Sequence, residues 1–403
     1  MSKSFPTPSP GPSPQGGGEK ARPSDRIEFA NSLRGVAAVT VVIAHLFEAF
    51  WLGQPVVALI TGMPALAIQP PWFASAFAAL PISFAAFGVG LFFVISGFVI
   101  PISLERYDAR AFLTGRFFRI YPTYWVGFSI TVASVLIGTA LAGGAPPFNV
   151  AQAALHYLPP LRAILYSKPI DGIIWTLEIE LFFYLLCALL ASAIGRGRTW
   201  VGFVPFAIFA VWVAIYSFVG HPPEGMEKLA ARFEYAAVYP PFLIFMFTGV
   251  ALNYRQRGLI GRGAAALWIG ACVVMFLAAW ETKFLGPGWK PIFVGVIEPE
   301  SYLAALGLFV AAMAAQKFFV SHRLFRFAAD ISYPLYVVHG MAGYVMLQLL
   351  VGRGVEAHVA LLLTLAAVFG AAWLIHRFVE MPTHRFGQRL ARRIAARDAA
   401  KRA

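Results

Sequence analysis

Apolar runs of about twenty residues, separated by short polar stretches, recur along this chain between residues 31 and 376. A hydrocarbon core about 30 Å thick takes roughly 20 helical residues to cross. Ten windows approach or reach that length: 31–51, 81–103, 121–141, 174–194, 200–219, 236–252, 264–280, 301–316, 331–351 and 359–376. The pattern predicts an all-α polytopic membrane protein, a bundle of about ten transmembrane helices. An even number of crossings leaves both termini on one side.

The polar stretches decide which side. With both termini cytoplasmic, the inner segments hold 24 Lys and Arg residues against 7 in the outer ones, the asymmetry that marks cytoplasmic loops. Residues 1–25, rich in Pro, Gly and Ser and without an apolar core, read as a disordered cytoplasmic tail rather than a signal peptide. Residues 26–380 form the membrane domain, and 381–403 read as a basic amphipathic tail lying on the anionic inner leaflet. Composition agrees: 13% of the residues are charged, against about 25% in soluble domains. The net charge of +13 is concentrated beside the membrane, which makes lipids the expected partner and excludes nucleic acid. Cys187 and Cys272 both lie in apolar segments, so no disulfide framework is expected.

Several windows carry charge, and charge in hydrocarbon is informative. The first, NSLRGVAAVTVVIAHLFEAFW, contains Arg34, His45 and Glu48. Arg34 and His45 are separated by roughly 16 Å along a helix and lie within about 20° of one face, with Glu48 one turn further on. Such groups are costly unless paired or facing a polar cavity. Arg34 and Glu48 have a plainer reading, snorkelling to the two headgroup layers; His45 has none. After the second window, ERYDARAFLTGRFFRIYPTYW sets Arg106, Arg110, Arg116 and Arg119 at the cytoplasmic mouth. Arg116 and Arg119 share a helical face at i, i+3, and two guanidiniums so held suit a diphosphate; topological anchoring is the simpler alternative.

The fourth window opens IIWTLEIELFFYLL. Counted from its outer edge, Glu180 lies about 9 Å deep, the level obtained for His45 by the same count. An imidazole and a carboxylate at one level are the minimal equipment for general-base catalysis. Glu178, two positions earlier, points elsewhere. In the second window Gly90 and Gly97 allow a neighbouring backbone to approach, with Ser96 alongside. His339, five residues after Pro334, is either a tie between helices or part of a polar path. The outer stretch 143–173, which includes His156, has no recognisable motif. Metal-ligand spacings, a P-loop, a dinucleotide-binding glycine turn and a serine nucleophile elbow are all lacking, so no metal is expected.

Taken together, five features in sequence order resemble acyltransferase family 3, membrane O-acyltransferases of envelope and secreted glycans. They are the Arg-x10-His of Arg34 and His45; GVGLFFVISGF at 88–98; the RxxR of Arg116 and Arg119; WTLEIELFFY, with Glu180 at the family's glutamate position; and SYPLYVVH, ending at His339 and followed by Glu380-Met381-Pro382. Gly90 stands where members commonly carry an acid, Thr176 where they have Ser, and Gly340 where Pro is frequent. No SGNH-type hydrolase segment follows, which implies a stand-alone form.

The resemblance implies a multi-pass protein of the bacterial inner membrane that moves an acyl group from cytoplasmic acyl-CoA to a hydroxyl of an extracytoplasmic glycan or glycolipid. Acetyl-CoA is the simplest donor and succinyl-CoA another; exopolysaccharide and the O-antigen of lipopolysaccharide are candidate acceptors. Arg116 and Arg119 would hold the donor phosphates, with Arg34 and Ser96 along its path. His45, aided by Glu48 or Glu180 and with Arg34 near the thioester, would serve as general base or be acylated itself. The alternative from another class is a proton-coupled secondary transporter or flippase with the same ionisable groups as a relay. The repeated halves frequent in such proteins are not seen in this sequence.

Overall fold

The structure is a computed structural model that describes residues 25–165, 167–282, 299–316 and 322–400. Among the described residues all regular elements are helices. Helix α1 (Asp25–Ile43) continues through a π-helical turn (Ala44–Ala49) to Leu52. There follow α2 (Phe84–Leu104), α3 (Ala109–Leu141), the short α4 (Val150–His156) and α5 (Pro159–Ile164), and α6 (Ile174–Leu189). Next come α7 (Val204–Gly220), α8 (Tyr239–Gln256), α9 (Arg262–Glu281), α10 (Pro299–Ala314) and α11 (Arg323–Asp330). The chain ends with α12 (Ser332–Val338), α13 (Met341–Val351), α14 (Ala357–Ile375) and α15 (Met381–Ala400).

Each of the ten apolar windows falls on a helix, the ninth on the bent pair α12 and α13. Among the described residues, six helices can cross a membrane by length and composition, or seven if the pair, bent by 54°, is one span. The protein is therefore an integral membrane protein, and its described residues hold fewer self-sufficient spans than the windows count. Helices α6 and α10 are short, at 16 residues each, and α6 carries two glutamates whose partners lie inside the bundle.

Capping fixes several starts. The Asp108 carboxylate accepts the Ala111 N–H at 2.9 Å ahead of α3, and Asn149 with Gln152 forms a capping box on α4. Packing then makes α1 central, because it touches α2, α10, α11 and α12. Two glycines of α2 permit the closest approaches. A Cβ on Gly88 would lie 2.8 Å from the Ala37 carbonyl of α1, and one on Gly97 only 1.9 Å from the Met246 carbonyl of α8. Small residues at such crossings let backbones meet, and Asn253 of α8 adds a hydrogen bond to the Phe98 carbonyl at 2.9 Å. Gly90 meets Tyr302 of α10 in the same way. As a result 67% of the apolar window of α2 is buried, against 17% for that of α7, so α2 belongs to the interior and α7 to the rim.

Helix α15 packs along α3, with Phe386 and Phe118 in edge contact at 5.0 Å. The basic segment expected on the leaflet thus has a protein-facing side. Residues 1–24 and 401–403 of the expected tails lie outside the described residues.

Candidate active site

Helices α1, α2, α3, α6 and α12 line a cleft. Arg34 from α1 and Arg116 and Arg119 from α3 line it, and among the described residues Glu180 is the one carboxylate on its wall. Arg34 Nη2 donates to Ser332 Oγ at 2.9 Å. Arg116 donates to Ser103 Oγ at 3.2 Å and lies over the rings of Phe112 and Tyr184 at 5.3 and 5.0 Å. Among the described residues no carboxylate forms an ion pair with any of the three. Glu180 instead accepts hydrogen bonds from Ser96 Oγ, at 2.8 Å, and from Tyr184. Phe92, Phe93 and Ile174 supply apolar wall. Three guanidiniums against one carboxylate in a low-dielectric cleft focus positive potential, which suits a phosphorylated ligand with an extended, less polar arm.

A second, much smaller cavity has His45, Thr131, Asp171 and Tyr344 on its wall. Ile173 and Val337 line both cavities and so partition them. His45 sits in the π-helical turn of α1, a local widening of the helix that recurs at functional sites. His339 caps the C-terminal end of α12, at the break before α13. The two rings are 4.9 Å apart, nearly perpendicular, with His339 Nε2 3.4 Å from His45 Nδ1. His45 Nδ1 is also 2.9 Å from the Val41 carbonyl, and His339 Nδ1 is 3.0 and 2.8 Å from the carbonyls of Leu335 and Tyr336. Carbonyls only accept, so this network assigns the proton to Nδ1 in both rings. Nε2 is then the basic nitrogen of each, and that of His339 faces the His45 N–H.

These positions correct one expectation and sort the others. Glu180 is not level with His45. The backbone before α6 has already descended when the helix begins, so Ile173 reaches the histidine cavity and Glu180 lies about 10 Å further along, in the arginine cleft with Arg34. Arg34, Arg116, Arg119, Ser96 and Glu180 share that cleft, while Glu48 lines neither cavity. His339 does tie α12 to α1, and it does so through His45.

Sequence reasoning passed over Asp171. It is 4% exposed, lines the His45 cavity and accepts the Ile174 N–H through Oδ1 at 2.9 Å. The available signal was a helix-start pattern, an Asp three residues ahead of an apolar run. Its connection is held from two sides. His156 Nε2 accepts the Ile170 N–H at 2.8 Å while Nδ1 donates to the Gln152 carbonyl at 2.9 Å, and its ring stacks on Phe128. Arg162 pairs with Glu178 and donates to the Ser167 carbonyl, and the Tyr239 hydroxyl donates to Glu178 at 2.9 Å. Glu178 therefore points away from both cavities, as expected from its place on α6. Burial lowers His156 to about 4. It raises Asp171 to about 6, opposed by the backbone N–H groups that the carboxylate accepts.

A profile of the acyltransferase domain family, acyltransferase 3, matches residues 27–377. Exopolysaccharide production protein ExoZ of Rhizobium meliloti (strain 1021) is 34% identical over 124 residues, covering 28% of this chain and 36% of the relative's length. The match thus spans about a third of that protein. Nodulation protein 10 of Rhizobium leguminosarum bv. viciae is 24% identical over 345 residues, 79% of this chain and 83% of its own length. No solved structure matches the chain.

Proposed function

The chain belongs to acyltransferase family 3, and from that premise we propose that it transfers an acyl group from cytoplasmic acyl-CoA to a hydroxyl of an extracytoplasmic, exopolysaccharide-type glycan. The name of the exopolysaccharide relative favours that acceptor class. In this reading all ten apolar windows cross the inner membrane, with both termini cytoplasmic. The observation that carries it is the arrangement of the two cavities: a cationic cleft ends at Ile173 and Val337, and His45 stands on the other side of the same two side chains.

Arg116 and Arg119 hold the donor phosphates through charge-assisted forks, with Arg34 completing the positive end. The Phe92 and Phe93 wall carries the pantetheine arm toward the partition, beyond Ser96 and Glu180. His45 Nε2 takes the proton of the acceptor hydroxyl as its oxygen attacks the thioester carbonyl. The C–S bond breaks, the sulfur leaves as thiolate and is protonated, and an ester remains on the glycan. His339 Nε2, facing the His45 N–H, supports the imidazolium formed in that step. General-base assistance of this kind contributes about 10²- to 10⁴-fold.

The test uses membranes containing the full-length protein, radiolabelled acetyl-CoA and alkali-deacylated extracellular polysaccharide from the producing cells. Label is expected in polysaccharide with wild type and not with His45→Ala at equal membrane content. Transfer by His45→Ala at the wild-type rate overturns the assignment of the base.

A further inference from the structure

The cavity on the far side of the partition contains one buried carboxyl that the proposed chemistry does not use. Asp171 shares the wall with His45, and among the described residues only backbone N–H groups hydrogen-bond to it. Arg162, the cation whose charge reaches it, is ion-paired with Glu178. A buried carboxylate with no ion pair of its own is costly, and its retention beside an imidazole asks for a ligand that donates hydrogen bonds. Polyols do this, and Asp171 and His45 line one small cavity whose free space admits a hydroxyl-sized group. The neighbours reinforce the choice: Thr131 and Tyr344 place hydroxyl-bearing side chains on the same wall.

Resting on the acyl-transfer reading, we propose that Asp171 is the acceptor-binding residue: its carboxylate accepts a hydrogen bond from one hydroxyl of a vicinal diol on the glycan and thereby holds the adjacent hydroxyl at His45 Nε2. The acceptor class is then a sugar with two neighbouring free hydroxyls, one gripped and one acylated. The connection that carries Asp171 is clamped by His156 on Ile170 and by Arg162 on Ser167, so the carboxylate meets the acceptor preorganised. At neutral pH a carboxyl held near 6 is ionised, as the role requires.

The experiment compares wild type with Asp171→Asn, full-length in membranes, with labelled acetyl-CoA and alkali-deacylated polysaccharide. Asparagine keeps an oxygen for the Ile174 N–H and removes the charge. The expected result is a rise of at least tenfold in KM for polysaccharide, with KM for acetyl-CoA within twofold of wild type. An unchanged polysaccharide KM, or an equal rise in both, overturns the assignment and leaves the acyl-transfer reading standing. Absence of transfer by wild type overturns that reading itself. If Asp171→Asn does not accumulate, Asp171→Ser, which also keeps an oxygen at the cap, is measured. If that fails as well, carbodiimide labelling of Asp171 in wild type decides: polysaccharide should slow it and acetyl-CoA should not, and equal labelling in all conditions overturns the proposal.

Discussion

The arginine cleft and the histidine cavity share two side chains and are built in opposite ways. The cleft takes its charged residues from unbroken stretches of α1, α3 and α6, so Arg116 and Arg119 share a face simply because they are three residues apart. The cavity is assembled from a π-helical turn at His45, a helix break at His339 and a non-helical connection at Asp171. Regular helix places broad electrostatic binding, which tolerates ångström errors. Irregular backbone brings together groups that no helical spacing could align. In the proposed mechanism, the chemistry that depends on one proton at one nitrogen falls on the irregular side.

The largest expected effect tests whether the irregular region holds the chemistry. His45→Ala should lower transfer by about 10²- to 10⁴-fold, measured as labelled polysaccharide at equal protein; a smaller loss than that of Arg116→Lys together with Arg119→Lys would reverse the comparison. Next comes the clamp behind Asp171. Arg162→Ala leaves Glu178 buried and unpaired, and such changes cost about 3–5 kcal/mol, so loss of folded protein on heating in detergent should far exceed that caused by Arg119→Ala, a residue with no ion pair among the described residues.

Arg116→Lys with Arg119→Lys keeps the charge and loses the forks. KM for acetyl-CoA should rise on the order of tenfold or more, since hydrogen bonds to charged groups are worth about 1.5–3 kcal/mol, with KM for polysaccharide little changed. The smallest effect concerns acid. His156 is held at about 4 when folded against about 6.5 when free, so the unfolded connection binds more protons in between. Its contribution to stability is whole above pH 6.5 and declines as pH falls toward 4. Amide exchange in residues 143–173 should quicken across that window in wild type and less in His156→Gln, whereas exchange in the Arg116 region of α3 should not follow it.

Much of the cleft was legible in the sequence. Apolar windows located the helices, and i, i+3 spacing put Arg116 and Arg119 on one face because α3 is a continuous helix. Arg34 and His45, roughly 16 Å apart along α1 by helical rise, line different cavities. The depth assigned to Glu180 failed because it was counted from the edge of an apolar window, and the backbone ahead of α6 enters the bundle before the helix starts. Asp171 escaped notice for the same reason: a connection without periodicity gives no rule for where it travels.

Residue order alone determines that this chain is helical and membrane-embedded, which ionisable groups its helices carry, and how far apart those on one helix stand, because hydropathy and helical rise are local properties. Folding decided the rest. His339 was brought to His45 and Asp171 to the same cavity, and Glu180 was kept with the arginines, by long-range packing around α1 and by backbone breaks whose direction depends on the neighbours they meet.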